Sequence, residues 1–166
     1  MSIDVAIMMG SKSDLEVLRP AAKVLTALGL KIEVRVLSAH RTPAETAAFV
    51  RDASAGGCKV FICAAGGAAH LAGAVAAHTL KPVIGVPIPA GSLGGLDSLL
   101  STVMMPPGMP VATVAVGGAE NAGLLAAQII ALGDPALAKK VEAERQSRRE
   151  KVLASDAEVK AEFARA

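Results

Sequence analysis

Three short segments carry side chains that can bind an anion or move a proton. Gly10-Ser11-Lys12-Ser13-Asp14 sets hydroxyls and a carboxylate behind a glycine. Ser38-Ala39-His40-Arg41-Thr42-Pro43 places an imidazole next to a guanidinium. Gly66-Gly67-Ala68-Ala69-His70 strips away side-chain bulk and ends on a second imidazole. An imidazole can act as general acid and general base near neutral pH. A guanidinium can grip a phosphate through parallel N–H donors. The free N–H groups at a helix start favour the same ligand, and glycines let it approach the backbone. Each segment also has a plainer reading. Ser13 or Asp14 can simply cap a helix, His40 and Arg41 can be solvated, and the glycines can form a close-packed turn.

Several familiar site patterns are missing. The Gly10 loop has neither the Gly-x-x-x-x-Gly-Lys-Ser/Thr spacing of a nucleotide triphosphate loop nor the Gly-x-Gly-x-x-Gly of a dinucleotide fold. The three histidines, His40, His70 and His78, lack carboxylate or thiolate neighbours at ligand spacing, so no metal is expected. His78 lies about two helical turns beyond His70 and reads as structural or exposed.

The elements that must position these residues follow from periodicity. Ile3–Met9 is a short apolar run ending at Gly10, a buried strand. A helical pattern continues to Leu28, with Leu15, Leu18, Ala22 and Leu25 on one face and Gly29 as its stop. Lys31–Leu37 alternates with period 2 and reads as a strand. Thr42 before Pro43 predicts an N-cap, and Glu45 three residues on predicts a capping box for a helix reaching about Ala55. Lys59–Ala64, Pro82–Val86 and Val111–Val116 read as further strands. An Ala-rich helix to Thr79 and an apolar helix over 117–132 separate them, and a charged helix starts at Pro135. Strands alternating with helices predict an α/β fold. We expect a three-layer α/β/α sandwich on a central parallel sheet, flavodoxin- or Rossmann-like, with a C-terminal helical extension. Residues 1–133 form the catalytic domain on this reading, and 134–166 extend it across a neighbouring subunit. Ligands in such sheets bind beyond the carboxyl ends of the strands. The three segments above and Pro87–Gly95 all fall there, so we expect four loops to build one site.

Composition narrows the function. The 166 residues carry a net charge of +2, too balanced for a nucleic-acid groove. Three Phe with no Trp or Tyr exclude a base-stacking platform. A hydrophobic fraction of 52% excludes global disorder. Two cysteines make neither a disulfide framework nor a zinc cluster, and a reducing cytoplasm is expected. Residues 60–80 are apolar, but they hold His70 and His78 and run into Lys81-Pro82, so no membrane span is expected. Between Ala55 and Gly133 the only charged residues are Lys59, Lys81, Asp97 and Glu120. That is little polar surface for a monomer, and burial between subunits is expected. The tail after Pro135 is highly charged, with a thin apolar stripe at Leu137, Val141, Val152, Val159 and Phe163.

In order and spacing, the three segments resemble the PurE family of purine biosynthesis. Asp97-Ser98-Leu99, Met105-Pro106 with Gly108, Pro110–Val114, Asn121 and Leu124–Gln128 extend the resemblance over about residues 3–132. Ala65-Gly66-Gly67-Ala68-Ala69-His70-Leu71 is similar to the N5-carboxyaminoimidazole ribonucleotide mutase class rather than to the class that carboxylates aminoimidazole ribonucleotide with free CO2. Ala72 stands where the family often has proline, and Met104 where it usually has glutamine, in a loop expected beside the site. The resemblance implies an isomerase of IMP biosynthesis that moves a carboxylate from the exocyclic nitrogen to ring carbon C4, without metal, biotin, ATP or other cofactor. It implies His40 as general acid/base, and Ser11, Asp14 and Arg41 as ligands of a phosphorylated ribonucleotide. Asp14 would accept from ribose hydroxyls, while Ser11 and Arg41 hold the 5′-phosphate. Ser13, Ser38 and His70 are further site candidates. A homo-octamer is implied as well. The alternatives are a carboxylase using free CO2 and a flavodoxin-like nucleotide-binding module.

Overall fold

The computed structural model describes residues 2–164. Its centre is a five-stranded sheet in the order β2-β1-β3-β4-β5, parallel throughout. The strands are β1 (Val5–Met9), β2 (Ile32–Val36), β3 (Val60–Ala65), β4 (Val83–Pro87) and β5 (Ala112–Thr113). The helices are α1 (Leu15–Ala27), α2 (Pro43–Ala55), α3 (Leu71–Ala76), α4 (Leu96–Val103), α5 (Ala119–Ala131) and α6 (Pro135–Phe163). The chain leaves β1 for one edge of the sheet and then returns to the other side of β1. That reversal, between β1 and β3, opens a crevice at the carboxyl ends of the strands.

Two apolar layers follow from which residues the strands present to each face. Val5, Ile7, Met9, Ile62 and Ile84 pack under α1 and α5. Ala6, Met8, Phe61 and Cys63 pack under α2 and α3. β1 and β4 are buried along their whole length, as expected of central parallel strands. Small residues set the closest approach. A Cβ on Gly123 would stand 2.6 Å from Val24 Cγ1, so α1 and α5 pack with almost no spacer between them. A Cβ on Gly85 would collide with Thr102 Cγ2, which is why α4 can lie on β4.

The expected order of elements holds, with four local differences. β5 is two residues long rather than spanning Val111–Val116, because its neighbour β4 ends in Pro87, which has no N–H for the ladder. α3 ends at Ala76 rather than Thr79: His78 N–H turns to Val75 O at 2.9 Å while the His78 ring takes Ala74 O at 2.7 Å, so the next helical bond is not made. α4 was not predicted, since its Gly-rich approach reads as loop. Thr42 stands at the N-cap of α2 but makes no capping bond, so the capping box with Glu45 does not form.

α6 is 29 residues, or about 43 Å at ~1.5 Å per residue. Asp134 caps it, accepting from the N–H groups of Ala136 and Leu137 at 3.0 Å each. Its first half is anchored on its own domain. Leu137 is buried, Lys140 Nζ donates to Leu28 O at 3.1 Å, and Arg148 bridges Glu120 at 2.8 Å. Val152, Leu153, Val159 and Phe163, further along, are exposed.

Candidate active site

Three loops meet at the crevice. The first leaves β1 at Gly10 and turns through Lys12–Asp14 before α1. Ser11 caps this turn rather than Ser13 or Asp14. Its Oγ accepts from Ser13 N at 3.3 Å, while Asp14 Oδ2 accepts from Ser11 N at 3.2 Å. Ser13 Oγ lies 2.9 Å from Ser11 Oγ and 3.1 Å from Asp14 Oδ1. Asp14 is 8% exposed, so its carboxylate is presented in one orientation.

The second loop leaves β2 through Leu37, whose N–H donates to Met9 O at 2.8 Å. Residues 38–42 then close a turn. Ser38 Oγ accepts from Arg41 N at 3.2 Å, and Ser38 O accepts from Thr42 N at 2.9 Å. Arg41 Nη2 donates to Gly10 O at 2.6 Å, which ties the guanidinium to the first loop.

The third loop leaves β3 at Ala65. Gly67 has φ +61°, a left-handed conformation that favours glycine. The loop ends at His70, the first residue before α3. His70 Nδ1 and His40 Nε2 are 2.8 Å apart, with the rings edge to face at 88°. One ring must donate and the other accept, so their tautomers are linked. While that bond stands, both rings cannot be doubly protonated.

The loops enclose a cavity of about 360 Å³. Its lining includes Ser11, Asp14, Ser38, His40, Arg41 and His70, with Gly10, Ala39, Ala65, Gly66, Ala68 and Leu71 supplying the small and apolar remainder. Ser13 stands behind the wall, bonded to Ser11 and Asp14. Six of the seven side chains expected at the site therefore share one cavity, and the seventh supports it.

The fourth loop behaves differently from expectation. Residues 88–95 do not line the cavity, although Ala90 packs close to Gly66. Met104 is also outside it and exposed, so the departure there does not alter the wall. His78 is away from the site, its Nδ1 bonded to Ala74 O at 2.7 Å. A larger groove of about 1300 Å³ runs between α1, β2 and α6. Much of its charge is spent in pairs, Arg19 with Glu16 and Arg148 with Glu120 and Glu144. Among the described residues, no group of three His, Cys, Asp or Glu could hold a metal. No helix among them is long and apolar enough to cross a membrane.

Such a fold and cavity define a parallel α/β protein with a small, polar-lined crevice at its switch point, beside linked imidazoles. Residues 4–151 match the AIR carboxylase family model, and the chain belongs to that family. A Brucella melitensis protein named N5-carboxyaminoimidazole ribonucleotide mutase is 53% identical over 92% of this chain and 95% of its own. A Saccharolobus solfataricus protein of the same name is 51% identical over 91% and 96%. The crystal structure of Treponema denticola PurE superposes with a TM-score of 0.85 at 32% identity, covering 93% of this chain and 96% of that one.

Proposed function

We propose that this protein is an N5-carboxyaminoimidazole ribonucleotide mutase of purine biosynthesis, an isomerase, with His40 as its general acid and base. The observation that carries the assignment of roles is the convergence of His40, Arg41, Ser11 and Asp14 on one small cavity. Loss of the carboxylate from the exocyclic nitrogen breaks the N–C bond, and the nitrogen takes a proton. The released CO2 then bonds to C4, and C4 gives up its proton. One imidazole can supply the first proton and accept the second, so the cycle balances without an external acid or base. CO2 must stay in place between the steps, and the Gly- and Ala-lined wall at Ala65, Gly66 and Ala68 gives it a small apolar space. Arg41 and Ser11 hold the 5′-phosphate, and Asp14 takes the ribose hydroxyls. Ser38 shapes the turn that carries His40, Ser13 orients Asp14, and His70 fixes the tautomer of His40. No cofactor enters this scheme.

We assign the working form to a homo-octamer in the cytoplasm. Support for assembly comes from α4, which is packed inside out. Ser98 and Thr102 are buried, while Leu96, Leu100 and Val103 are exposed. The distal half of α6 offers a second apolar stripe for a neighbouring subunit. The free, buried thiols of Cys58 and Cys63 accord with a reducing compartment.

The deciding experiment supplies purified protein with N5-carboxyaminoimidazole ribonucleotide and follows the 4-carboxy product. Turnover without added bicarbonate supports the mutase. Turnover only from aminoimidazole ribonucleotide plus CO2 would assign the carboxylase instead.

A further inference from the structure

The turn bearing His40 and Arg41 is held by a hydroxyl that by sequence belongs to the next helix. Thr42 precedes Pro43, a position whose side chain ordinarily caps a helix N-terminus. Here Thr42 Oγ1 turns backward. It accepts from Ser38 N at 2.8 Å and donates to Ser38 O at 3.1 Å. One hydroxyl thus occupies both the N–H and the C=O of a single residue four positions earlier, and α2 has no side-chain cap. His40 and Arg41 lie inside the loop so closed, and both side chains are exposed. Neither has core packing to hold its backbone. Thr46, one helical turn on, is buried; its hydroxyl donates to Thr42 O at 2.8 Å, an ordinary contact within α2, and reaches Ser38 O only at the longer distance of 3.4 Å.

We propose that Thr42 is a positioning residue for the mutase reaction. Its paired bonds to Ser38 set the turn so that the His40 imidazole meets His70 while the Arg41 guanidinium reaches Gly10. The helix gives up a cap, and the site gains a fixed angle between its proton-transfer group and its anion grip. This inference rests on the assignment of His40 and Arg41 above. A threonine acting through both residues alters kcat and KM together, whereas one that only stabilises α2 alters neither in the folded enzyme.

The test compares steady-state kinetics and thermal unfolding of Thr42→Val, Thr42→Ser and Thr46→Val, with His40→Asn and Arg41→Lys as controls. Valine keeps the shape and removes both bonds. We expect Thr42→Val to lose about 10- to 100-fold in kcat/KM, the order expected for a misplacement near 1 Å, with kcat lowered and KM raised. Thr42→Ser should restore most of it. Thr46→Val should lower the melting temperature but retain kcat/KM. Wild-type kinetics in Thr42→Val would overturn the proposal, as would failure of serine to rescue. Equal kinetic losses in Thr42→Val and Thr46→Val would overturn the assignment of the turn to Thr42 in particular. If both controls keep full activity, the site assignment itself fails. If they lose activity while Thr42→Val does not, only the role of Thr42 falls.

Discussion

The carboxyl edge of the sheet is finished in two different ways. Beyond β1, β2 and β3 the loops are polar and satisfy one another. Ser11 with Asp14, Arg41 with Gly10 and His40 with His70 each cross-link the crevice or its turns. Beyond β4 the chain runs through Gly91, Gly94 and Gly95, all at positive φ, into a helix with leucines outside and hydroxyls inside. Asp97, in the first turn of that helix, holds a buried carboxylate oxygen with no hydrogen-bond partner. A buried acceptor without a donor is costly, and an exposed leucine row is a surface seeking cover. One half of the edge spends its polar groups on bonds within the chain, and the other half leaves apolar side chains and a buried acceptor without cover. Chemistry needs groups fixed to fractions of an ångström, so its loops lock themselves. An interface needs area, and the bare leucines of α4 are the area on which the proposed assembly would draw.

The largest effect expected on the self-contained half comes from His40→Asn. The fold should survive, while turnover falls by ~10²–10⁴-fold, the usual worth of a general acid–base step. Near-normal turnover would remove His40 from the mechanism. On the other half, Leu100→Glu should split the assembly, because a charge would then sit on the exposed apolar row of α4. Light scattering at micromolar concentration measures it, and an unchanged particle mass would take α4 out of the interface. Truncation from residue 147 onward tests the distal α6 stripe by the same measurement.

Arg41→Lys should weaken binding of a 5′-phosphorylated nucleotide by about tenfold, since a point charge replaces a planar fork that forms charge-assisted hydrogen bonds worth ~1.5–3 kcal/mol. Calorimetry with and without the phosphate separates the roles. An equal loss for the dephosphorylated nucleoside would show that Arg41 does not hold the phosphate.

Smaller again is the effect at the opposite, amino edge. Burial pushes the Asp4 carboxyl up, but hydrogen bonds from Lys59 Nζ and Lys31 N–H and the two ammonium charges outweigh it, leaving the carboxyl below its ordinary value. A depressed carboxylate contributes stability that is present above its unfolded pKa, about 4, and lost as pH falls through the folded value. Asp4→Asn should therefore be less stable than wild type at pH 7, with the difference shrinking below about pH 4 in acid-unfolding curves. A gap independent of pH would contradict the ion pair. Least of all, His78→Asn should leave turnover unchanged, as the His78 ring, just beyond α3, bonds back to Ala74 O and lies outside the cavity lining.

The strand–helix alternation and the three motif loops were legible in the residues because each depends on local spacing. Apolar runs mark buried parallel strands, glycines mark stops, and clustered polar residues after strands mark an edge. Two features resisted. Thr42 has the residue type and spacing of a helix cap, yet its hydroxyl is equally able to bond backward, and only the path of the 38–42 turn decides between them. α4 goes unread because the Gly-rich approach before it hides its start; Leu96, Leu99, Leu100 and Val103 keep helical spacing, but only the fold shows that Leu96, Leu100 and Val103 face outward.

Sequence alone therefore determined the order of elements, the parallel class of the sheet and the identity of the groups at its carboxyl edge, all of them properties of neighbours along the chain. Tertiary structure decided which of those groups meet. His40 and His70 are thirty residues apart and become partners only because β1 lies between β2 and β3. The loop after β4 lies at the same edge and yet misses the cavity, because β4 is one strand further from the switch point. No local pattern encodes that distance. It comes from the order in which the strands pair.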